Sequence, residues 1–335
     1  MPGIALGNFV TSVTKERFFP KVVDNVYEGN VLFERLRGKA RPWTGGYQLT
    51  IPTTVSERTA LGSFSGFDTF STNQEDVRKK FTINPSEYYA TLTISGIQKA
   101  LNKGPEAVVD LLTAEFQDVG RALSEKMGEH CYLDGTGNAN KDIAGLDYHI
   151  DDATVAVTYQ GLSRNTYTNL RATRTAQVGA LGFDDLATDY DACQRGNDTP
   201  TLAITTPAIW SIIEALVTPT TVMEVGKAYP KLVPSGGTDG ITLNRGFNAI
   251  YYRGVPIIAD EKCTAGYLYF INENHLFLYQ IEQDPLFVEA SKEGFAWTGW
   301  KRSTNQNAIT SQLLWAGQLV GDSPRTMSVR TGITT

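Results

Sequence analysis

The chain has 335 residues, a formal charge of −6, a sequence pI near 5.2, and 41% hydrophobic and 20% charged residues. Those values fit a soluble globular protein of about two domains; they exclude a surface that clamps nucleic acid through many Lys and Arg contacts and leave only a local basic patch open. No apolar run reaches the roughly 18 residues that cross a bilayer, and the N-terminal charges follow a short apolar stretch, the reverse of a secretory signal, so the reading is of a chain made and folded in a cytoplasm.

Val23, Val26, Leu32, Phe33 and Leu36 recur at roughly helical spacing and predict a short helix over 22–36. Gly29 and Asn30 interrupt it, and Arg41, Pro42 and Trp43 stop it. With few other core formers nearby, residues 1–44 read as an arm lying on another element, or as a mobile terminus.

An extended, Ser/Thr-rich excursion follows over 45–95. Tyr47, Leu49 and Ile51 alternate with Gln48 and Thr50, the period of a half-buried strand. The return leg carries Phe81 and Ile83, breaks at Pro85, and resumes with Ala90, Leu92 and Ile94. Two strands of about ten residues, rising roughly 3.3 Å each, would hold the tip on the order of 30 Å from the body. The tip, 56–80, presents Phe64, Phe67 and Phe70. Either these rings dock on a neighbouring molecule, as exposed apolar clusters do, or the tip folds back on its own domain.

The longest amphipathic pattern comes next, from Pro105 to Leu133. Val108, Leu112, Phe116, Val119, Leu123, Met127 and Cys131 form one apolar stripe. Asn102 is a candidate cap, Pro105 suits the first turn, and Asp134-Gly135-Thr136-Gly137 ends the helix. Strand and loop are expected over 138–167. A second helix is expected over 183–194, packing Phe183, Leu186, Ala187, Tyr190 and Cys193. The polar stretch 195–200 is a candidate domain boundary. Beyond it the pattern predicts a buried strand over 201–205, a helix over 207–217 and a loop over 230–240. Strands follow at 249–252, 255–259, 267–271 and from Leu276 onward.

No catalytic, cofactor or metal constellation emerges. His130, His149 and His275 are the only histidines. His130 and Cys131 are adjacent on a helix, so they point to different faces and make no nucleophile and base pair. Gly62-Ser63-Phe64-Ser65-Gly66 has the outline of a nucleophile elbow with Phe64 where the serine belongs. The glycines of 234–240 lack the Gly-Lys-Ser/Thr end that holds a triphosphate. The pairs Asp151/Asp152 and Asp184/Asp185 read as solvated turns and helix caps. Cys131, Cys193 and Cys263 are an odd number without CxxC spacing, and read as buried free thiols.

The order of parts carries a resemblance. Together with the segments 26–37, 45–52, 144–146, 159–164 and 253–260, it resembles the major capsid protein of tailed bacteriophages, whose fold is shared with encapsulins and herpesvirus capsid floors. The resemblance covers nearly the whole chain and rests on order and spacing. It implies an α+β fold with an N-terminal arm (1–44), an extended β-hairpin loop (45–95), and a peripheral domain (96–197) containing the spine helix. An axial domain (198–283) and return strands with a C-terminal tail (284–335) complete it. It further implies a non-enzymatic subunit forming hexamers and pentamers of an icosahedral shell around double-stranded DNA. The shell would be assembled in the host cytoplasm and found in the virion, with no membrane. The implied partners are further copies of the chain, a separate scaffolding protein, a portal, a decoration protein and the packaged DNA. Relatives that cross-link covalently use a lysine on the extended loop; residues 56–77 contain none, so contact there is expected through Phe64, Phe67 and Phe70. The rival readings are an encapsulin shell with protein cargo and, from another class, an α+β hydrolase.

Overall fold

The computed structural model describes residues 30–101, 111–217, 250–281, 289–290 and 295–334. The helix before Asn30, the start of the spine helix at Asn102, Pro105 and Val108, and the 230–240 loop lie outside the described residues.

A seven-stranded sheet is built around one long strand, Ala308–Gly321. Along one edge it pairs antiparallel with Ser86–Ser95, from Ala308 opposite Ser95 to Gly317 opposite Ser86. Along the other it pairs with Leu276–Ile281 at one end and with Phe295–Trp297 and Lys301–Arg302 at the other. Arg41–Trp43, expected only to stop a helix, joins this sheet parallel to Tyr279–Ile281.

A six-stranded sheet runs in the order Thr173–Ala176, Ser328–Thr331, Leu268–Ile271, Leu202–Thr205, Val255–Ala259, Ile250–Tyr252. Every residue of Leu202–Thr205 and Leu268–Ile271 is buried, as central strands covered on both faces require. This sheet draws strands from 173–176 and 328–331 as well as from 198–283, so it crosses the boundaries expected at 198 and 284.

Helix Val31–Gly38 begins at Asn30, whose side-chain oxygen accepts the Phe33 N–H at 2.8 Å. Asparagine in an extended backbone is a favourable cap, so the residue expected to interrupt a helix starts one. Val31, Leu32, Phe33 and Leu36 are buried in a core shared with Leu123, Met127 and Cys131 of the spine and with Ile204, Tyr269, Leu278 and Trp315 of the two sheets. Each such fully buried side chain contributes roughly 1.5–3 kcal/mol relative to exposure. The described end of the arm is therefore part of the body. Asp260 fixes it further, accepting from the Tyr132 hydroxyl at 2.7 Å and from the Leu32 N–H at 3.4 Å.

The described part of the spine helix is Leu111–His130, ending three residues before the expected Leu133. Its last carbonyls rest on Gly145: the Leu146 N–H donates to Cys131 O at 2.7 Å. Between the spine and the six-stranded sheet the chain forms short helical turns at Gly137–Asn140 and Leu146–His149 and a tight hairpin, Thr158–Tyr159 against Leu162–Ser163.

Helix Phe183–Cys193 forms as expected, with a different inner face. Phe183 is 40% exposed, while Asp189 is fully buried and takes a bidentate contact from Arg330 at 2.6 and 3.0 Å. The charge that replaces an apolar residue in the stripe is thus matched from the neighbouring strand.

Candidate functional site: the extended hairpin and its tip

Leu49–Thr54 and Arg78–Ile83 pair antiparallel in register from Leu49 opposite Ile83 to Thr54 opposite Arg78. The return leg breaks at Pro85 and continues as Ser86–Ser95, which belongs to the seven-stranded sheet. The hairpin legs are six residues each, not the expected ten.

The hairpin does not stand away from the body. Val55, Phe81 and Ile83 are buried in a small core with Tyr159, Leu170 and Val320. Phe81 meets Tyr159 edge-on at 5.6 Å. The Thr82 N–H donates to Gln160 O at 2.9 Å, and Asn169 Nδ2 reaches Val55 O at 3.3 Å. The alternation in the sequence marks a half-buried sheet correctly, and what buries it is the chain's own body.

The base of this contact is a tight turn at Gln160 and Gly161, both with positive φ, +46° and +87°. It is held from below by Arg164, which has no exposed surface. Its guanidinium donates to the carbonyls of Tyr148, Ala156 and Leu170 at 2.7, 2.8 and 3.1 Å and to Asp151 at 3.3 Å. Asp151 also accepts the N–H groups of Ala153, Val155 and Ala156, each at 3.0 Å. Burial pushes the Asp151 carboxyl up, but these N–H groups and the Arg164 charge outweigh it and hold the carboxyl below the usual range. Asp151 is therefore a buried structural ion, not the expected solvated turn. Asp152 and Asp185 do act as turn and cap, accepting from Thr154 N at 3.1 Å and Gly182 N at 2.9 Å.

His149 and Tyr159 complete this cluster, with Nδ1 3.0 Å from the phenol oxygen. Burial, and then the Arg164 charge, push the His149 pKa down to about 3, so the ring is neutral at neutral pH. These are residue types that acid–base catalysis uses, but His149, Asp151, Tyr159 and Arg164 are all fully buried and have one another or backbone N–H and carbonyl groups as partners. The arrangement braces the hairpin and offers a substrate no access. His130 is held by the Tyr88 hydroxyl at 2.8 Å, and His275 lies between Asp322 at 2.6 Å and Asp198 at 3.3 Å. Cys131, Cys193 and Cys263 are buried free thiols. Among the described residues no group of three His, Cys, Asp or Glu side chains could hold a metal, and no helix is long and apolar enough to cross a membrane.

Beyond Val55 and Val77 the chain leaves the body. Phe64, Phe67 and Phe70 are 65%, 104% and 65% exposed, so the tip does not fold back to bury them. It nevertheless has order of its own. Phe64 and Phe70 meet edge-to-face at 5.0 Å. Asp68 accepts the Ser65 N–H at 2.8 Å. At the neck, Glu75 reaches across and accepts the N–H groups of Thr59 and Ala60 at 2.9 and 3.1 Å and the Thr59 hydroxyl. Lys79, on the return leg, is engaged by Asp76. The exposure of the three rings agrees with their Ser/Thr/Gly surroundings in the sequence, whereas Glu75 and Gln160 sit in no pattern that marks them.

Two packed sheets, a long helix and a hairpin that rests on the body and carries an exposed tip form an α+β fold, and the solved structures that match it show it to be of the phage major-capsid type. No protein-family profile matches the chain, and no curated protein matches it in sequence. Solved structures match it in fold. The capsid protein of cyanophage A-1(L) aligns over 98% of this chain and 100% of its own with a TM-score of 0.72 at 15% identity. The capsid of an empty GTA particle aligns over 100% of both chains with a TM-score of 0.64 at 9% identity. The holo-SrpI encapsulin complex of Synechococcus elongatus aligns over 98% of this chain and 96% of its own with a TM-score of 0.60 at 12% identity.

Proposed function

We propose that the chain is the structural subunit of a closed capsid shell, forming hexamers and pentamers of an icosahedral particle around double-stranded DNA. The observation that carries this reading is the exposed Phe64, Phe67 and Phe70 at the end of a hairpin whose base is fixed to the body. A small protein does not hold three aromatic rings in water on a braced support unless another surface covers them. The capsid fold supports the same reading. In it the subunit does no chemistry; many repeated contacts between identical chains sum to a stable shell, and rings of two sizes let one chain close it. The partners are further copies of the chain, a separate scaffolding protein, a portal and a decoration protein, and the subunit belongs to the virion after assembly in the host cytoplasm.

The likeness to an encapsulin keeps protein cargo as the second reading. Expression of the chain alone and with its neighbouring genes, followed by negative-stain microscopy, tests both. Closed shells are expected. Nuclease-protected DNA in particles made with the packaging genes supports the capsid reading, a protein cargo in place of DNA supports the encapsulin, and a monomer at high concentration overturns both.

A further inference from the structure

We propose that His275 is a proton-operated tie within the subunit: charged, it holds the exposed turn that leads into the six-stranded sheet, and neutral, it lets that turn go. The tie belongs to the folded chain and does not depend on the shell reading.

Three distant stretches of chain meet at this side chain. His275 ends the turn between Leu268–Ile271 and Leu276–Ile281, Asp322 follows the long strand Ala308–Gly321, and Asp198 precedes Leu202–Thr205. The backbone of His275 is pinned to the side of the seven-stranded sheet: its N–H donates to Asn272 O at 3.0 Å, and its carbonyl accepts the Asp322 N–H at 3.1 Å. The ring is pinned there too, with Nδ1 2.6 Å from Asp322 Oδ1. The other nitrogen, Nε2, lies 3.3 Å from Asp198 Oδ2. A neutral imidazole has one N–H and one lone pair, whereas both nitrogens of the cation donate, and ionised carboxylates only accept. Both contacts therefore exist together only in the cation. In the neutral ring the proton serves the shorter contact, to Asp322, and Nε2 turns a lone pair on Asp198.

The turn has little else to hold it. Arg195 and Asp198 bond each other's backbone at 3.0 Å in both directions, Gly196 has a φ of +61°, and 194–198 are all exposed. Among the described residues, the Asp198 contact with His275 is the one hydrogen bond or ion pair that joins 195–199 to the rest of the chain. The next lies at Thr201, whose N–H donates to Ile271 O at 2.9 Å. The other charged groups around the ring do not replace the tie. Glu273, in the same turn as His275, is engaged by Arg35 and Lys39. Arg195, in the turn itself, and Arg325, beyond Asp322, are cations and cannot accept from Nε2. Tyr159 and His149 lie behind Gly321 and are uncharged at neutral pH, since burial raises the phenol and pushes the imidazole down to about 3.

Histidine is the residue whose charge changes between about pH 5 and 8. The tie is present with the proton on and is lost as pH rises. A pair in which the side chains are 23% and 51% exposed is weak, so the effect falls on local opening of the turn and not on the thermal midpoint.

Hydrogen exchange of the full chain, read by mass spectrometry on peptides covering 194–199 and corrected for the intrinsic pH dependence of exchange, tests the tie. In the unaltered chain, opening of this turn is expected to rise about threefold between about pH 5.5 and about pH 8.5, while the amide of Thr201 keeps its protection. His275→Gln, and independently Asp198→Asn at an exposed position where folding is not at stake, are expected to leave the turn equally open at both values. Equal opening at both values in the unaltered chain overturns the tie. So does a pH dependence that survives Asp198→Asn, or one that Thr201 shares, which would mean that the whole sheet opens.

Discussion

Glu75 closes the neck of the tip by accepting the Thr59 N–H at 2.9 Å, across sixteen residues of chain. The contact is solvent-exposed, so its role is to set the shape of the loop that carries the rings, not the stability of the domain. Glu75→Ala is expected to open the neck with no change in thermal midpoint. The Arg58–Thr59 bond, whose following N–H groups Glu75 holds, would then be cut several-fold faster by trypsin, with fewer shells formed. The hydrogen bond from the Thr59 hydroxyl, then that from its N–H, holds the Glu75 carboxyl below its ordinary value. A carboxylate depressed in this way keeps its contacts above the ordinary glutamate range and loses them as pH falls through the lowered value. Lowering the pH through that value should therefore reduce the amide protection factors of Thr59 and Ala60 in the unaltered chain and leave those of Glu75→Ala unchanged.

Replacing Phe64, Phe67 and Phe70 together with serine removes apolar surface that the isolated subunit never buries. The body should keep its circular dichroism and its urea midpoint, while assembly is lost. Shells of normal yield from this variant would show that the rings are not the grip.

Arg164 satisfies four carbonyls and one buried carboxylate beneath the hairpin. Truncating one partner of a buried ion pair leaves an uncompensated charge, at a cost of about 3–5 kcal/mol. Arg164→Met should lower stability to urea by that amount. Because Tyr159 and the Gln160 turn lie above Arg164, amide exchange should rise first at Thr82, whose N–H is held by Gln160.

Alternation at 47–51 and 81–94 was enough to read an extended hairpin with a break at Pro85, since a period of two needs only local sequence. It could not say what covers the buried face, because Tyr159, Leu170 and Val320 are far away in the chain. The same limit explains Asp189, whose burial depends on Arg330, 141 residues on. Asn30 was ambiguous for another reason: one short amide side chain serves as a helix breaker inside a helix and as a cap at its start. The exposed rings were legible because three phenylalanines in a Ser/Thr/Gly setting have no local partners.

Gly145 supports the end of the spine helix. A Cβ there would lie 2.5 Å from each of the carbonyl oxygens of His130, Cys131 and Leu133, all backbone atoms that cannot turn aside. Gly145→Ala is expected to destabilise the domain by about 2 kcal/mol or more, through the strain that overpacking causes. Differential scanning calorimetry reads this directly, and an unchanged midpoint would mean that the spine end is not seated on this glycine.

The return leg of the hairpin continues after Pro85 into Ser86–Ser95, which is laddered to Ala308–Gly317 over ten consecutive pairs. The consequence is mechanical. A pull on the tip along that strand loads all the rungs of the ladder at once, in shear, whereas a pull across it would peel them one after another. A subunit gripped by its tip thus passes tension into Ser86–Ser95 and through its ladder into the longest strand, and the direction of the pull, more than the strength of any single bond, decides how much force it bears.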